Sequence, residues 1–177
     1  MTPVLQEISM VKDYSQQSRP SLRWVFERPE RIIAFGFGSG VIYPGPGTWG
    51  TVLGWGLWAV LGQFLPLSVA LIVGVVAFIV GCWVSQKVGD ELGEPDHSGM
   101  NWDEAVAIWL VLCFTPAGFW AQLCAFILFR FFDIVKPEPI RFLDRRFKGG
   151  FGVMLDDLLA ALYVVIIMAL LVRFEVF

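Results

Sequence analysis

Residues 150–172 read "GFGVMLDDLLAALYVVIIMALLV", and Asp156 and Asp157 stand side by side where this run turns apolar enough for a membrane. Two adjacent like charges repel, and each would cost about 2.5–3.5 kcal/mol at mid-bilayer. A helix cap uses one carboxylate. The second calls for chemistry. Three other clusters hold reactive residue types. They are "NWDE" with Asp103 and Glu104, "FRFFDIVKPEPI" with Arg130, Asp133 and Lys136, and the loop "GFGSGVIYPGPGTWGT" over 36–51 with Gly47 and Thr48. Five carboxylates crowded at a low-dielectric edge are unfavourable unless a cation offsets their repulsion. Hard oxygen donors favour Mg²⁺, which keeps waters and shares phosphate oxygens of a substrate. Arg130 offers phosphate a planar fork, and Lys136 a point charge. Backbone N–H groups of a glycine loop that opens a helix, here Gly45 to Gly50, cradle an anion. The sum is phosphoryl chemistry, and at a membrane face the phosphate belongs to a lipid.

Each cluster also has a purely structural reading. Asn101 with Glu104 fits a capping box, and one of Asp156 and Asp157 fits the cap of the last helix. Arg130, Asp133 and Lys136, spaced three apart, fit a surface ion ladder. The glycine loop fits a close-packed passage into the membrane. Other chemistries lack residues. There is no G-x-x-x-x-G-K-[ST] phosphate loop. The sole histidine, His97, has no G-x-S-x-G partner for a triad, and it is expected to face solvent in a loop rather than to protonate a leaving group. Cys124-x5-Arg130 has the spacing of cysteine phosphatases, but "AFILF" between them is apolar and helical, where a polar loop is needed. Cys82, Cys113 and Cys124 form no metal-type pair and imply no disulfide.

The elements that must hold these residues are membrane helices. The chain has 177 residues, is 56% hydrophobic and has a mean hydropathy of +0.67. No residue from Ile32 to Gln86 is charged, and eight tryptophans suit a large interfacial surface. A net charge of −3 gives a nucleic-acid partner no electrostatic support. One domain is expected over 32–177, behind a polar arm at 1–31 that has no apolar signal-peptide core. Helices are predicted at roughly 50–65 and 67–84, rising about 24–27 Å each, with Thr48 as the first cap and Pro66 at the turn. An acidic loop follows over 85–104, and a last span over 158–173. The stretch 105–129 is read as a hairpin broken at "TPAG", 115–118, re-entrant or interfacial. Charge favours doubling back, because twelve of the thirteen Lys and Arg then share one face with only Arg173 opposite. The expected fold is all-α, a small polytopic membrane helical bundle with a Gly-rich loop and a broken helix or re-entrant hairpin.

"GFGSGVIYPGPGTWGT", "DHSGMNWDE", "FRFFDIVKPEPIRFLD" and "GGFGVMLDDLLA" occur in this order. Over residues 32–162 the chain resembles the bacterial phosphatidylglycerophosphatase A family. The resemblance implies Mg²⁺-dependent removal of the terminal phosphate of phosphatidylglycerophosphate at the bacterial cytoplasmic (inner) membrane, and the Lys and Arg distribution puts the site on its cytoplasmic face. The family's Pro-Gly-Thr falls on Pro46, Gly47 and Thr48, and its Trp-Asp-Glu on Trp102, Asp103 and Glu104. Its Phe-Arg-x-x-Asp-x-x-Lys-Pro falls on Phe129, Arg130, Asp133, Lys136 and Pro137, and its Gly-Gly-x-Gly-Val-Met-x-Asp-Asp on Gly149 to Asp157. Thr51 departs from an expected serine, Ala161 from an expected glycine, and His97-Ser98-Gly99 inverts a usual Gly-Ser order. The expected catalytic residues are Asp103, Glu104, Asp156, Asp157 and Arg130. The expected Mg²⁺ ligands are Asp103, Glu104, Asp133, Asp156 and Asp157. Arg130, Lys136, Gly47 and Thr48 would hold the phosphate of a phospholipid in the bilayer. With no good covalent nucleophile, direct displacement by water is expected. The rivals are a phosphatase of another lipid phosphate such as phosphatidic acid, a non-enzymatic cation-binding or transport protein, and a membrane scaffold whose acids are only caps.

Overall fold

The structure is a computed structural model that describes residues 20–177, and among these every regular element is helical. Two short helices come first, α1 (Leu22–Phe26) and α2 (Pro29–Ala34). Ser21 caps α1 by accepting from the Trp24 N–H at 3.3 Å, and Pro29 sits at the first position of α2, where its missing N–H costs nothing. Residues 22–31 fall in the expected polar arm, yet they pack. Val25 is fully buried against Val84 and Val88. The buried Arg31 guanidinium lies 3.9 Å over the Trp24 ring and donates through Nε to Glu91 at 3.0 Å. Glu30 is paired with Lys87. Residues 1–19 of that arm lie outside the described residues.

A 3-10 turn (Gly36–Val41) and a loop lead into α3 (Pro46–Val60), a second 3-10 turn (Gly62–Phe64) and α4 (Leu67–Leu92). α3 starts earlier than the sequence suggests. Pro46 is pre-set for a first helical position, and Gly45 takes the left-handed backbone (φ 75) that starts the turn. The N–H groups of Thr48 and Trp49 both reach the Gly45 carbonyl, so Thr48 is not the cap. With 15 residues α3 rises about 22 Å, short of a hydrocarbon core of about 30 Å. α4 runs on through "SQKVGDEL", expected as loop, until Gly93 (φ 69) ends it.

α5 (Trp102–Leu112) and α6 (Phe119–Val135) are separated by residues 113–118. The chain reverses there. Arg130 on α6 comes within 3.7 Å of Glu104 on α5, whereas one continuous helix would hold them about 39 Å apart. α6 stops at Lys136, in the left-handed region (φ 43) ahead of Pro137. α7 (Ile140–Arg146) is a surface turn of helix, and α8 (Gly149–Arg173) closes the bundle. α8 begins well before 158 because its glycines serve close packing. A Cβ on Gly150 would stand 2.0 Å from the Cys82 carbonyl oxygen, and the Gly150 N–H donates to Gln86 at 2.9 Å.

The core joins Ile108, Leu112, Phe129, Ala160, Val164 and Met168, from α5, α6 and α8. α4 and α8 are the two described helices long and apolar enough to cross a membrane. Their outer faces carry Ile72, Val76, Ile79, Leu162 and Ile166, each more than half exposed. So broad an apolar surface is far larger than water-soluble monomers leave uncovered, and it suits hydrocarbon.

Candidate active site

The first turn of α5 brings Asp103 and Glu104 to one point, and the third turn of α8 brings Asp157 to the same point. One carboxylate oxygen from each lies within 4.8 Å of the other two. Asp103 and Asp157 are buried. Glu104 Oε2 and Asp157 Oδ2 are buried with no hydrogen-bond partner. Burial, then the neighbouring Glu104 charge, pushes Asp103 well above the usual carboxylate range. Burial likewise pushes Glu104 up to about 6, with Asp133 adding to the rise. A hard divalent cation removes both penalties, since it supplies the missing partner and cancels the repulsion. The donors are all carboxylate oxygens, the chemistry of Mg²⁺, Ca²⁺ or Mn²⁺ rather than of zinc or copper. On donor chemistry and orphaned lone pairs, the residues fit such an ion.

A cation stands beside the acids. Arg130 is paired with Asp133 on its own helix and reaches Glu104 across the fold at 3.7 Å. It also donates to Thr51 Oγ1 at 3.4 Å, and the Thr51 hydroxyl donates to the Gly47 carbonyl at 2.9 Å. Arg130 Nε is buried and unpartnered, so the guanidinium keeps a donor to spare. The start of α3 presses directly on this group. A Cβ at Gly47 would stand 2.1 Å from Glu104 Oε1 and 3.0 Å from Arg130 Nη2. Thr48, by contrast, is exposed in the first turn of α3. Thr51 is the hydroxyl that meets Arg130, and in the sequence it stood out only as a departure from serine.

The two aspartates of α8 part company. Successive helical residues point about 100° apart. Asp157 therefore faces the cluster, while Asp156 is paired with Lys136 at the end of α6. Neither caps α8, whose N-cap is Lys148. Asp133 and Asp156 each hold a cation, and Asp103, Glu104 and Asp157 make the close acidic group. No capping box forms at Asn101 either. Its side chain makes no cap bond and instead donates to Ser39 Oγ and the Pro46 carbonyl, both at 2.9 Å. Asn101 thus ties the glycine loop to the start of α5 and leaves Glu104 to the cluster. His97 is not solvent-facing. It is 4% exposed, its Nδ1 accepts from the Gly99 N–H at 3.0 Å, and its ring lies 5.8 Å from Phe35.

A family model described as phosphatidylglycerophosphatase A matches residues 32–172. A phosphatidylglycerophosphatase A of Haemophilus influenzae is 46% identical over 140 residues, covering 78% of this chain and 86% of that protein. One of Escherichia coli is 34% identical over 139 residues, covering 78% and 80%. A Bacteroides thetaiotaomicron protein with the provisional name phosphatidylinositol-3-phosphatase is 40% identical over 146 residues, covering 78% and 90%. No solved structure matches the chain.

Proposed function

The chain belongs to the phosphatidylglycerophosphatase A family, and from that premise we propose that it hydrolyses the terminal phosphomonoester of phosphatidylglycerophosphate, giving phosphatidylglycerol and phosphate in phospholipid synthesis. The observation that carries the chemistry is the meeting of Asp103, Glu104 and Asp157 beside Arg130 and Gly47. Asp103, Glu104 and Asp157 would hold Mg²⁺, which when bound supplies positive charge to the phosphate and acidifies water. Arg130, with its free Nε donor, binds and orients the phosphate oxygens. Thr51 and Asp133 fix the plane of that guanidinium. Lys136 adds a second positive charge at the rim, and Asp156 holds it in place. Water forms the new bond to phosphorus as the bond to the glycerol oxygen breaks. A carboxylate of the cluster takes the water proton, and a proton passes to the departing glycerol oxygen. The apolar mantle of α4 and α8 supports residence in the bacterial inner membrane. The Lys and Arg distribution supports a site at the cytoplasmic face, with the α5–α6 hairpin dipping into the bilayer without crossing it.

The test is phosphate release from phosphatidylglycerophosphate in detergent micelles, with Mg²⁺ or chelator, for wild type and Asp157→Asn. Mg²⁺-dependent release that the substitution abolishes is expected. Faster release from phosphatidic acid or a phosphatidylinositol phosphate would move the substrate. Release that survives both chelator and Asp157→Asn would overturn the site.

A further inference from the structure

Two indole N–H groups tie α5 to α4. Trp102 donates to the Ala77 carbonyl at 3.1 Å, and Trp109 to the Ala70 carbonyl at 2.9 Å. The helices run antiparallel, so the two rings stand about 10 Å apart along the pair. An indole is a wide spacer, and between the two rings α4 presents Val73 and Gly74, the latter packed closely by Leu110 of α5. What remains is a recess of about 150 Å³, closed on the α3 side by Leu57 and Leu61. A second recess, of about 380 Å³, opens on the outer side of α4 between Phe37 and Ile72. Val73, Ala77 and Trp102 line both, so the two recesses adjoin and together make up an apolar groove along α4. Its lining is apolar throughout. Its head lies where Phe37 meets Trp102, with ring centroids 6.0 Å apart, and Trp102 immediately precedes Asp103. The head of the groove and the acidic cluster thus flank the first turn of α5. From there the groove runs along α4 to Leu61 and Trp109, near the far end of α3.

We infer that this groove holds an acyl chain of the lipid whose phosphate lies at Asp103, Glu104 and Asp157. The inference rests on the lipid-phosphatase reading and adds how the enzyme grips the other end of its substrate. A partner helix, about 10–12 Å across with its side chains, does not enter a recess of about 150 Å³ between two indole rings. The indole N–H groups are already spent on α4 carbonyls, so the lining has nothing to offer a peptide backbone. Hydrocarbon needs neither the width nor the partners. Val73 and Val76, 42% and 53% exposed at the rim, leave the slot open sideways, as a chain arriving from the bilayer requires.

Val73→Trp fills the slot from its exposed rim, and Ile79→Trp places the same bulk on α4 outside it. For each, kcat/KM is measured on phosphatidylglycerophosphate with eighteen-carbon and with six-carbon chains, in the same mixed micelles. Val73→Trp is expected to lower the long-to-short ratio about tenfold or more, and Ile79→Trp to leave it unchanged. An unchanged ratio in an active Val73→Trp enzyme overturns the groove and leaves the phosphatase reading standing. No release from either lipid by wild type overturns the phosphatase reading instead. A diazirine on the acyl chain of the same lipid then decides the groove without turnover, in wild type. Labelling concentrated on Val73, Val106 and Trp102 supports it. Labelling spread evenly to Ile79 and Ile166 overturns it.

Discussion

Gly47→Ala separates the demands of the fold from those of the chemistry. Gly47 lies in the first turn of α3 and is not among the positive-φ residues, so alanine meets no backbone strain there. In a helix the exchange favours folding, by up to about 0.5–1 kcal/mol. The added methyl, however, would begin 2.1 Å from Glu104 Oε1, where ordinary contact starts at 3.4 Å. The carboxylate must therefore retreat by more than about 1 Å, and the Arg130 fork, 3.0–3.1 Å away, must shift a few tenths of an ångström. Glu104 does this by rotating its own side chain, at little cost to stability. A displacement of about 1 Å in a reacting group costs on the order of 10²-fold in rate. The assay is kcat/KM for phosphate release, read beside the thermal midpoint. About a hundredfold loss is expected, with a midpoint within about 4 °C of wild type. Glu104→Asp, whose shorter side chain withdraws the carboxylate, should restore at least about tenfold in the Gly47→Ala background, where the methyl and the acid no longer compete. Activity within about threefold of wild type for Gly47→Ala would refute the contact between the α3 start and the reacting group.

Cation binding should also appear in stability. Mg²⁺ at a hundred times its dissociation constant should stabilise wild type by about 2.7 kcal/mol and should not stabilise Asp157→Asn. An equal Mg²⁺ shift in both would take Asp157 out of the cation site. Lys136→Met should remove the cation paired with the buried Asp156 and cost about 3 kcal/mol in urea unfolding. Adding Asp156→Asn should recover most of that stability while activity on the lipid stays low. A Lys136→Met protein as stable as wild type would show that the pair carries no weight.

The all-helical class and the membrane character follow from hydropathy that persists from Ile32 to Gln86 without a charge. Residue types alone marked the clusters from which Asp103, Glu104, Asp157, Arg130 and Gly47 come. Position within a turn was harder to read. Gly45 reads as loop and the last span as starting at 158, yet α3 starts straight after Gly45 and α8 at Gly149. At Gly150 the missing side chain lets α8 touch the backbone of α4. Local propensity does not register a close approach from a helix far away in sequence. Asp156 and Asp157 are neighbours in the chain, and only the helices packed around α8 give one a lysine and the other two acids. Asn101 has the spacing of a capping box, but the glycine loop offers it better partners in Ser39 and Pro46. His97 sits among Asp, Ser and Gly, a polar context, and is buried because Phe35 folds over it.

The ion pairs at the two ends of the uncharged stretch bear on how the protein is made. Glu30 and Arg31 close on Lys87 and Glu91, so the start and the finish of residues 32–86 lie side by side. α3 is too short to cross alone, and it packs on α5 rather than on α4. During synthesis α3 would then wait for α5, which leaves the ribosome after α4. The charges at 87–91 would meanwhile hold the two ends of the stretch together.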